Sequence, residues 1–455
     1  MRKRPPMTAT ATAVPAAAVP PVRKREIFGW AMFDFANSSY TTVVVSVVYG
    51  KFFVGQIVPA DSPARHSYWS LAIGLSTVVA LLLSPLVGAL CDYSGRKKTY
   101  LLGTTVLCAI CTSLLAFVEP GMVWTAILLL ILSNAGFMLS ETFIASFLPD
   151  IATPETMGRI SGLGWGIGYF GGLASVILSA RLIITADPAT DPIAYVDQNQ
   201  MAMAVTGIFF LLAALPTFVL VRNRRRPAPG YEHAGPLVLL RAGLREFGRT
   251  LETVRRHRVL FQFLAAFMVY MAGLDAIVKF VGIYAEEAIR LTTGEIAGLF
   301  IVLQLSAAAG ALGFGLLERR LGPKRTVMLT LVWWIAGVAA ISFLDALAAV
   351  FGTSPKTVFG VLAFVTGAGI GATQASSRTI VGLLAPPDRT AQMFGFWGTF
   401  MRCGTLLGLL FGPVSDLFGT PRAGVFLVLG FFVLGALLLA RVDLERGFRE
   451  ARPPA

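Results

Sequence analysis

Apolar stretches long enough to form membrane-spanning helices recur along the whole chain, separated by short segments rich in Gly, Pro or charged residues. About 20 apolar residues in a helix are enough to cross the hydrocarbon core of a bilayer. The pattern therefore predicts an all-α membrane protein with twelve transmembrane helices. Their approximate cores are residues 27-50, 68-90, 99-118, 122-147, 160-184, 201-221, 259-284, 296-317, 326-347, 357-384, 391-413 and 422-441.

The composition agrees with an integral membrane protein, because 55% of the residues are hydrophobic and only 14% are charged. The net charge of +13 does not indicate nucleic acid binding, since the basic residues lie in short clusters between apolar segments instead of on one soluble face. If the N-terminus is cytoplasmic, 29 of the 38 Lys and Arg residues fall on the inner side. Cytoplasmic loops carry such an excess of positive charge, so we expect both termini in the cytoplasm.

The longest interruption, residues 222-258, begins with RNRRR, ends with RRHR and separates six predicted spans from six others. We interpret it as a cytoplasmic linker between a six-helix bundle at 27-221 and another at 259-441. Residues 1-26 and 442-455 are expected to be cytoplasmic tails, the first of them disordered because of its composition. Near-helical spacing of apolar residues within the linker indicates an amphipathic helix, which lies either on the inner membrane surface or against the bundle.

Two pairs of loops indicate that the bundles are pseudosymmetric. GALCDYSGRKKT, residues 88-99, aligns at one constant offset with GLLERRLGPKRT, residues 315-326, although Asp92 falls on Arg319 with Glu318 beside it. TPETMGRISGL and APPDRTAQMFGF share a Pro-acid pair and a later Gly at a second constant offset. Secondary transporters are commonly built from such repeats, with the substrate site at their interface.

The cysteines and histidines do not indicate a metal centre. Neither the four cysteines nor the three histidines have the spacing of metal ligands, and no disulfide framework is predicted. The runs GLGWGIGYFGG and GAGIGA lack the strand-helix setting of a nucleotide site and are typical of closely packed membrane helices. We therefore expect no cofactor. A membrane-embedded enzyme is disfavoured because His66, His233 and His257 all lie outside the predicted spans.

Six charged side chains lie well inside the predicted spans, away from their ends, and they comprise three acids and three bases: Asp34, Glu141, Asp275, Lys279, Arg378 and Arg402. An acid at the centre of a spanning helix costs roughly 2.5 to 3.5 kcal/mol on insertion scales, so such groups face a protein interior or a wet cavity. We expect the six to converge on one central cavity. Asn37 and Ser38 extend a polar stripe from Asp34 at helical spacing. Alternatively, Asp34 is a structural acid that caps a neighbouring helix or pairs with a fixed base.

Asp34 and Glu141 are the candidates for proton binding. Desolvation disfavours the charged form of a buried carboxylate, so its affinity for a proton changes when the cavity opens to water. In the second repeat, the position equivalent to Glu141 is Gln374, a neutral residue of the same shape. The two halves therefore place a titratable group and its neutral counterpart in related positions.

Arg378 and Arg402 are the candidates for holding an anionic group of the substrate, because a guanidinium forms bidentate bonds with carboxylate or phosphate. Asp275 and Lys279 are four residues apart on one predicted helix. They either join the same site or satisfy each other as a structural ion pair.

The quoted loop GALCDYSGRKK resembles the signature of the major facilitator superfamily between its second and third spans. Four stretches are similar to the autophagy-related protein 22-like permeases, also called the unknown major facilitator family: WAMFDFANSSY, LPDIATPETMGRISGLGWGIGYFGG, ATQASSRTI and APPDRTAQMFGFWG. The resemblance implies a secondary transporter with the major facilitator fold. Eukaryotic relatives export amino acids from a storage compartment, whereas most bacterial members have no assigned substrate. The chain departs from the family in the seventh span, where Met271 and Ala272 replace an expected Asn-Asp pair.

The resemblance also implies a conformational latch in the loop after the second span, formed by Gly88, Asp92, Gly95, Arg96 and Lys97. A charge contact there would hold the two halves in the outward-facing state. A carboxylate near the N-terminus of a helix gains from the positive end of the helix dipole. Ordinary topology-setting charge would explain Arg96 and Lys97, but it would not explain the two glycines.

We therefore expect a secondary active transporter that moves a small polar, amino-acid-like solute by alternating access and is coupled to protons. The expected partners are the small-molecule substrate, protons and the lipid bilayer, with no nucleic acid. We expect a monomer in the bacterial inner (plasma) membrane. The alternative is an exporter of hydrophobic drugs or lipids, because such exporters also use buried acids.

Overall fold

The computed structural model describes residues 22-224 except 60 and 63, isolated positions of the following segment (227, 231, 238, 241, 242 and 245), and residues 256-451 except 420. Twelve of its helices are long and apolar enough to cross a membrane, which confirms the predicted fold class. We label them α1 (Lys24–Tyr40, continued by irregular helical turns to Ile57), α2 (Arg65–Ser94), α3 (Lys97–Leu114), α4 (Val123–Ser146), α5 (Met157–Ile177), α6 (Pro192–Leu220), α7 (Arg258–Glu287), α8 (Thr293–Leu321), α9 (Pro323–Ser342), α10 (Pro355–Leu384), α11 (Thr390–Gly408) and α12 (Pro421–Ala440).

Each half of the chain builds its own hydrophobic core. Trp30, Phe143 and Phe210 belong to a buried cluster formed mainly by α1 to α6. Trp334 and Phe432 belong to a second cluster formed mainly by α7 to α12. We call the end of the molecule where α6 stops and α7 starts the linker face.

The contact between α2 and α11 joins the two halves at the linker face. A Cβ atom on Gly88 would lie 2.5 Å from the carbonyl oxygen of Ala391, so only glycine permits this approach. Pro85 has no backbone N–H and therefore leaves the carbonyl of Leu81 without its usual helical donor. Thr399 of α11 supplies that donor through its hydroxyl, at 3.0 Å.

The contact between α5 and α8 joins the halves a second time. Gly162 of α5 faces α8 so closely that a Cβ atom would overlap the carbonyl of Ala311. Gly164 and Gly168, on another side of α5, face α1 of the same half. Small residues allow membrane helices to approach closely. Helix α5 therefore touches both the first helix of its own half and the other half.

The chain after α12 forms a further helix, α13 (Leu444–Ala451). Leu444, Gly447 and Ala451 of this helix are buried, and Phe448 packs against the cores of both halves. Within the predicted tail at 442-455, the described residues thus include a helix whose apolar stripe is buried against the bundle. Most residues of the predicted amphipathic helix of the linker, and all of residues 1-21, lie outside the described part of the chain.

Candidate functional site

Asp34 of α1 forms an ion pair with Arg378 of α10, across the interface between the halves. The distance from Arg378 Nη1 to Asp34 Oδ2 is 2.9 Å, and the two side chains are 3% and 12% exposed, respectively. At about 1.5 Å per residue, Asp34 lies roughly 15 Å from the start of α1. Arg378 lies about 9 Å from the linker-face end of α10. The ion pair is therefore inside the spanning helices, on the side nearer to the linker face.

Arg378 is held by the first half through several further contacts. Its Nε donates to the Ser161 hydroxyl at 3.1 Å, and its Nη2 donates to the Ser161 carbonyl at 3.0 Å. The guanidinium carbon lies 4.6 Å from the ring centroid of Trp30 and 5.5 Å from that of Trp165. Aromatic faces attract a cation at such distances. These contacts orient the guanidinium towards Asp34.

Glu141 of α4 and Arg402 of α11 form a second ion pair between the halves. Arg402 Nη2 lies 3.0 Å from Glu141 Oε2, and Glu141 is 18% exposed. The guanidinium also donates to the backbone carbonyls of Met138, at 3.1 Å, and Gly398, at 3.2 Å. Asp34 and Glu141, the two acids predicted inside the spans of the first half, are thus both paired with arginines of the second half.

Asn37 of α1 contacts α4 directly beside Glu141. The Ser140 hydroxyl donates to Asn37 Oδ1 at 3.4 Å. Ser140 directly precedes Glu141 in the chain, and Asn37 is one helical turn from Asp34. Asp34 and Arg378 are also close enough to act electrostatically on Glu141. We call Asp34, Glu141, Arg378 and Arg402 the central charge cluster.

Ser38 and Gln374 lie beside this cluster. The Ser38 hydroxyl donates to the backbone carbonyl of Asp34 at 2.8 Å, and a Cβ atom on Gly168 would contact it. Gln374 of α10 accepts a hydrogen bond from the Tyr169 hydroxyl of α5 at 2.9 Å. The neutral counterpart of Glu141 therefore also forms a contact between the halves.

Asp275 and Lys279 pair with each other on α7, with 3.6 Å between Lys279 Nζ and Asp275 Oδ2. The Thr405 hydroxyl of α11 donates to Asp275. Thr405 is about one turn further from the linker face than Arg402, so this pair lies beyond the central charge cluster. Asp275 is 22% exposed and Lys279 38%. The structure thus brings four of the six predicted charges together and pairs the other two with each other, further from the linker face.

Asp92 lies at the end of α2 and binds the start of α11. Its two carboxylate oxygens accept the backbone N–H groups of Ala391, at 3.1 Å, and Gln392, at 2.8 Å. The first N–H groups of a helix have no intrahelical partner, and the helix dipole favours a negative charge there. Gly95 has a φ of 63°, which lets the chain turn from α2 into α3. Arg96 is exposed.

Lys97 is fully buried at the same face and joins three chain segments. Its Nζ donates to the Ser146 carbonyl at 3.0 Å, to Asp150 Oδ2 at 2.9 Å and to the Thr390 hydroxyl at 2.7 Å. Thr390 belongs to the second half and the other two residues to the first. Lys97 therefore contributes to closure of the linker face, and topology-setting charge alone does not account for it.

The partners that sequence reasoning did not identify include Asp150, Ser161, Thr390 and Thr405. Asp150 and Ser161 lie within the family-like stretch LPDIATPETMGRISGLGWGIGYFGG, and Thr390 lies within APPDRTAQMFGFWG. Those stretches could have drawn attention to them. Thr405 has no comparable signal, because a threonine in an apolar helix is common.

Twelve spanning helices in two halves, with ion pairs across the interface and helix-end contacts at one face, define a transporter of the major facilitator class. The structure of the proton:xylose symporter XylE has the same fold, with a TM-score of 0.67 and 13% identity over 92% of this chain and 94% of that chain. The structure of a bacterial homologue of the iron transporter ferroportin, in an outward-facing state, has a TM-score of 0.65 and 13% identity. The match covers 92% of this chain and 98% of that chain.

Residues 52-452 match the family model described as Vacuole effluxer Atg22 like, and the chain belongs to this family of major facilitator transporters. An uncharacterized MFS-type transporter of Bacillus subtilis (strain 168), YxiO, is 27% identical over 91% of this chain and 94% of its own length. Autophagy-related protein 22 of Kluyveromyces lactis is 23% identical over 97% of this chain and 98% of its own length. The family resemblance is thus confirmed. The chain is a multi-pass membrane protein and a secondary transporter, not an enzyme.

Proposed function

We propose that this transporter moves a small polar, amino-acid-like solute by alternating access and that protons drive the movement. We place it in the bacterial plasma membrane, with both termini in the cytoplasm. The observation that carries the proposal is the pairing of both acids in the central charge cluster with arginines of the opposite half, at 2.9 and 3.0 Å. Because the two halves of one chain complete the site, we infer that a monomer is sufficient.

The ion pairs would couple protonation to separation of the halves. Removing one partner from a buried ion pair costs about 3 to 5 kcal/mol, because an uncompensated charge remains. A proton on Asp34 or Glu141 removes the negative charge and breaks the ion pair, and a carboxylate of the solute would replace it as the partner of the guanidinium. The guanidinium of Arg378 or Arg402 is then free to bind a carboxylate of the solute in bidentate geometry.

The contacts at the linker face would complete the cycle. Asp92 and Lys97 bind the first residues of α11 while that face is closed, and these contacts must break when it opens. If the termini are in the cytoplasm, the linker face is the cytoplasmic face, and the conformation of this structure is closed to the cytoplasm. The predicted latch residues would then stabilise the outward-facing state.

Uptake by purified protein in liposomes tests proton coupling, with a mixture of radiolabelled amino acids as the probe. We expect the wild-type protein to accumulate solute under an imposed pH gradient. Asp34→Asn and Glu141→Gln should lose this accumulation by roughly tenfold or more, which corresponds to about 1.4 kcal/mol. Both variants should retain exchange of solute without a gradient, because exchange does not require release of the proton.

Asp345→Asn is the matched control. Asp345 also pairs with an arginine, Arg422, at 3.1 Å, but both residues belong to the second half and are exposed. This variant should accumulate solute like the wild type. Equal accumulation with and without the gradient, combined with full activity of Asp34→Asn and Glu141→Gln, would contradict coupling through these acids.

Export of hydrophobic compounds is a second candidate function, and the apolar lining of a cavity within the second half favours it. The cavity of about 70 Å³ would have to widen to hold a drug-sized molecule. The cavity is lined largely by apolar and aromatic side chains, including Phe280, Trp334, Phe359 and Phe411. The Trp334 N–H donates to the Thr373 hydroxyl at 3.2 Å, so it is not available to a polar ligand. Transport of a hydrophobic fluorescent dye, without transport of any amino acid, would support this second candidate.

A further inference from the structure

Glu318, at the linker-face end of α8, is a buried acid with no role in the proposed transport site. Only 5% of the surface of Glu318 is accessible to solvent. The carboxylate rests against the backbone of Gly158 in the first turn of α5, so that a Cβ atom on Gly158 would overlap it. Since α8 and α5 belong to different halves, Glu318 lies in an interface that must separate when the linker face opens.

This contact is the pseudosymmetric counterpart of the contact between Asp92 and Ala391. The offset that aligns the two Pro-acid loops places Gly158 on Ala391, and Glu318 is adjacent to the residue aligned with Asp92. Hydrogen bonding distinguishes the two sites. Asp92 accepts two backbone N–H groups, whereas Oε2 of Glu318 is buried without a hydrogen-bond partner. An ionised oxygen in such a place is unfavourable.

Burial removes the Glu318 carboxylate from water, and this loss of hydration disfavours its ionised form. The adjacent polar groups are the hydroxyls of Ser376 and Thr379 on α10. A serine hydroxyl can donate to an ionised carboxylate or accept from a protonated one, so Ser376 can bind Glu318 in either form, and burial is what favours the neutral one. A carboxylic acid can donate one hydrogen bond, which an ionised carboxylate cannot do.

The packed elements carry five other charged residues near this site: Glu155 and Arg159 at the start of α5, Arg378 on α10, and Arg319 and Arg320 on α8 itself. Glu155, Arg159, Arg319 and Arg320 are exposed to solvent. Arg378 is bound to Asp34 and Ser161. The positive charges nearest in the chain are therefore directed to solvent or to another partner.

We propose that Glu318 is a proton-binding site in the contact between α5 and α8 at the linker face. It is protonated while the two helices are in contact and ionised when they separate. Opening of this face brings water to the carboxylate, and water stabilises the charged form. A rise in pH therefore favours the open linker face, and a fall in pH favours the closed one. The inference uses the two-state opening of the proposed function, but it does not depend on Asp34 or Glu141.

Distances between spin labels on the two halves test this proposal. Thr153 and Arg320 are exposed at the linker-face ends of the first and second halves and would carry the labels. The parent protein would contain Asp34→Asn and Glu141→Gln, so that the central charge cluster does not titrate through these acids. The distances would be measured in lipid nanodiscs while the pH is raised. Over the full titration of Glu318, the ratio of long to short distances should rise about tenfold for each tenfold difference in its proton affinity between the closed and the open state.

Glu318→Gln should abolish this dependence on pH and keep the short distance, because the amide cannot ionise. Glu318→Asp should retain a dependence on pH. Glu119→Gln is the control, since Glu119 is exposed and lies in the loop between α3 and α4 at the other face. It should behave like the parent.

A parent without any response to pH, or an unchanged response in Glu318→Gln, would overturn the proposal. If Glu318→Gln does not fold, Gly158→Ala provides the second test. The added methyl group would displace the carboxylate from its buried position, so the long distance should dominate at every pH. An unchanged distance distribution in Gly158→Ala would also overturn the proposal. Failure of proton coupling in the transport assay leaves these outcomes unaffected, because both acids are already neutral in the parent.

Discussion

Ion pairs of the central charge cluster join residues that are far apart in the chain. Asp34 and Arg378 are separated by 344 positions, and Glu141 and Arg402 by 261. The acids could be recognised in the sequence because a carboxylate in an apolar span requires an interior environment. Their partners could not be assigned, since helical spacing relates only residues three or four positions apart. Asp275 and Lys279 have that spacing, and the pair predicted for them as one of two alternatives is present.

Substitution of Gly164 tests how closely the central charge cluster is packed. A Cβ atom there would overlap Asp34 and would lie 2.7 Å from Trp30 and 2.9 Å from Arg378. We expect Gly164→Ala to lower the free energy of unfolding by about 1 to 3 kcal/mol, the usual cost of overpacking a core. Thermal unfolding in detergent measures the effect.

Gly103→Ala is the matched control for that substitution. Gly103 also lies inside a spanning helix, but a Cβ atom there has no neighbour within 4 Å. Alanine favours a helix over glycine by about 1 kcal/mol, so this variant should be as stable as the wild type or more stable. Equal stability of Gly164→Ala and Gly103→Ala would show that Gly164 is not needed for packing.

At the scale of elements, the closure of the linker face depends on helix ends. The first turn of α11 offers backbone N–H groups to Asp92, and the break that Pro85 introduces in α2 offers a carbonyl to Thr399. Both contacts use backbone groups that a continuous helix would have satisfied internally. Sequence motifs indicated a special loop here, but they did not show that Lys97 is buried across the interface, since buried and exposed lysines follow glycine-rich turns alike.

Asp92→Asn should weaken the contact between α2 and α11. The amide has one acceptor oxygen in place of two and carries no charge to interact with the helix dipole, a loss of about 1 to 2 kcal/mol. This corresponds to a shift of roughly 5-fold to 30-fold towards the open linker face. Spin labels at Thr99 and Pro387, both exposed near this contact, would report a larger population of long distances.

Asp187→Asn is the control for this measurement, because Asp187 is exposed in the loop between α5 and α6, where its carboxylate accepts the local backbone N–H of Ala189. Its distance distribution should equal that of the wild type. If Asp92→Asn gave the same result as this control, the Asp92 contact would not stabilise the closed face.

At the scale of the whole molecule, two separately packed halves meet in a conformation that is closed at the linker face. Each half has its own core, and glycines hold the helices of the interface close together. Helix α13 adds a contact to both cores through Phe448. Such an arrangement allows the halves to rotate against each other as bodies, because few contacts inside either core need to change.

A solute that binds between the halves should stabilise the native protein. At a free concentration of 100 times its Kd, a ligand adds about 2.7 kcal/mol to the free energy of unfolding. Thermal unfolding, screened over amino acids, peptides and phosphorylated metabolites, should therefore identify the solute by a raised Tm. Arg378→Lys should reduce the rise for a carboxylate ligand, because lysine cannot bind it in bidentate geometry. If hydrophobic compounds alone raised the Tm, the polar substrate class would be wrong.

The sequence by itself determined the number of spanning helices, their division into two related halves and the acids that need an interior position. These properties follow from the hydrophobicity of consecutive residues and from repeats at constant offsets, which can be read along the chain. Only the tertiary structure decided which arginine pairs with which acid, that Glu318 and Lys97 are buried between the halves, and that α13 packs against both cores. The reason is that these contacts depend on distances between helices distant in sequence, which are set by the packing of the whole bundle.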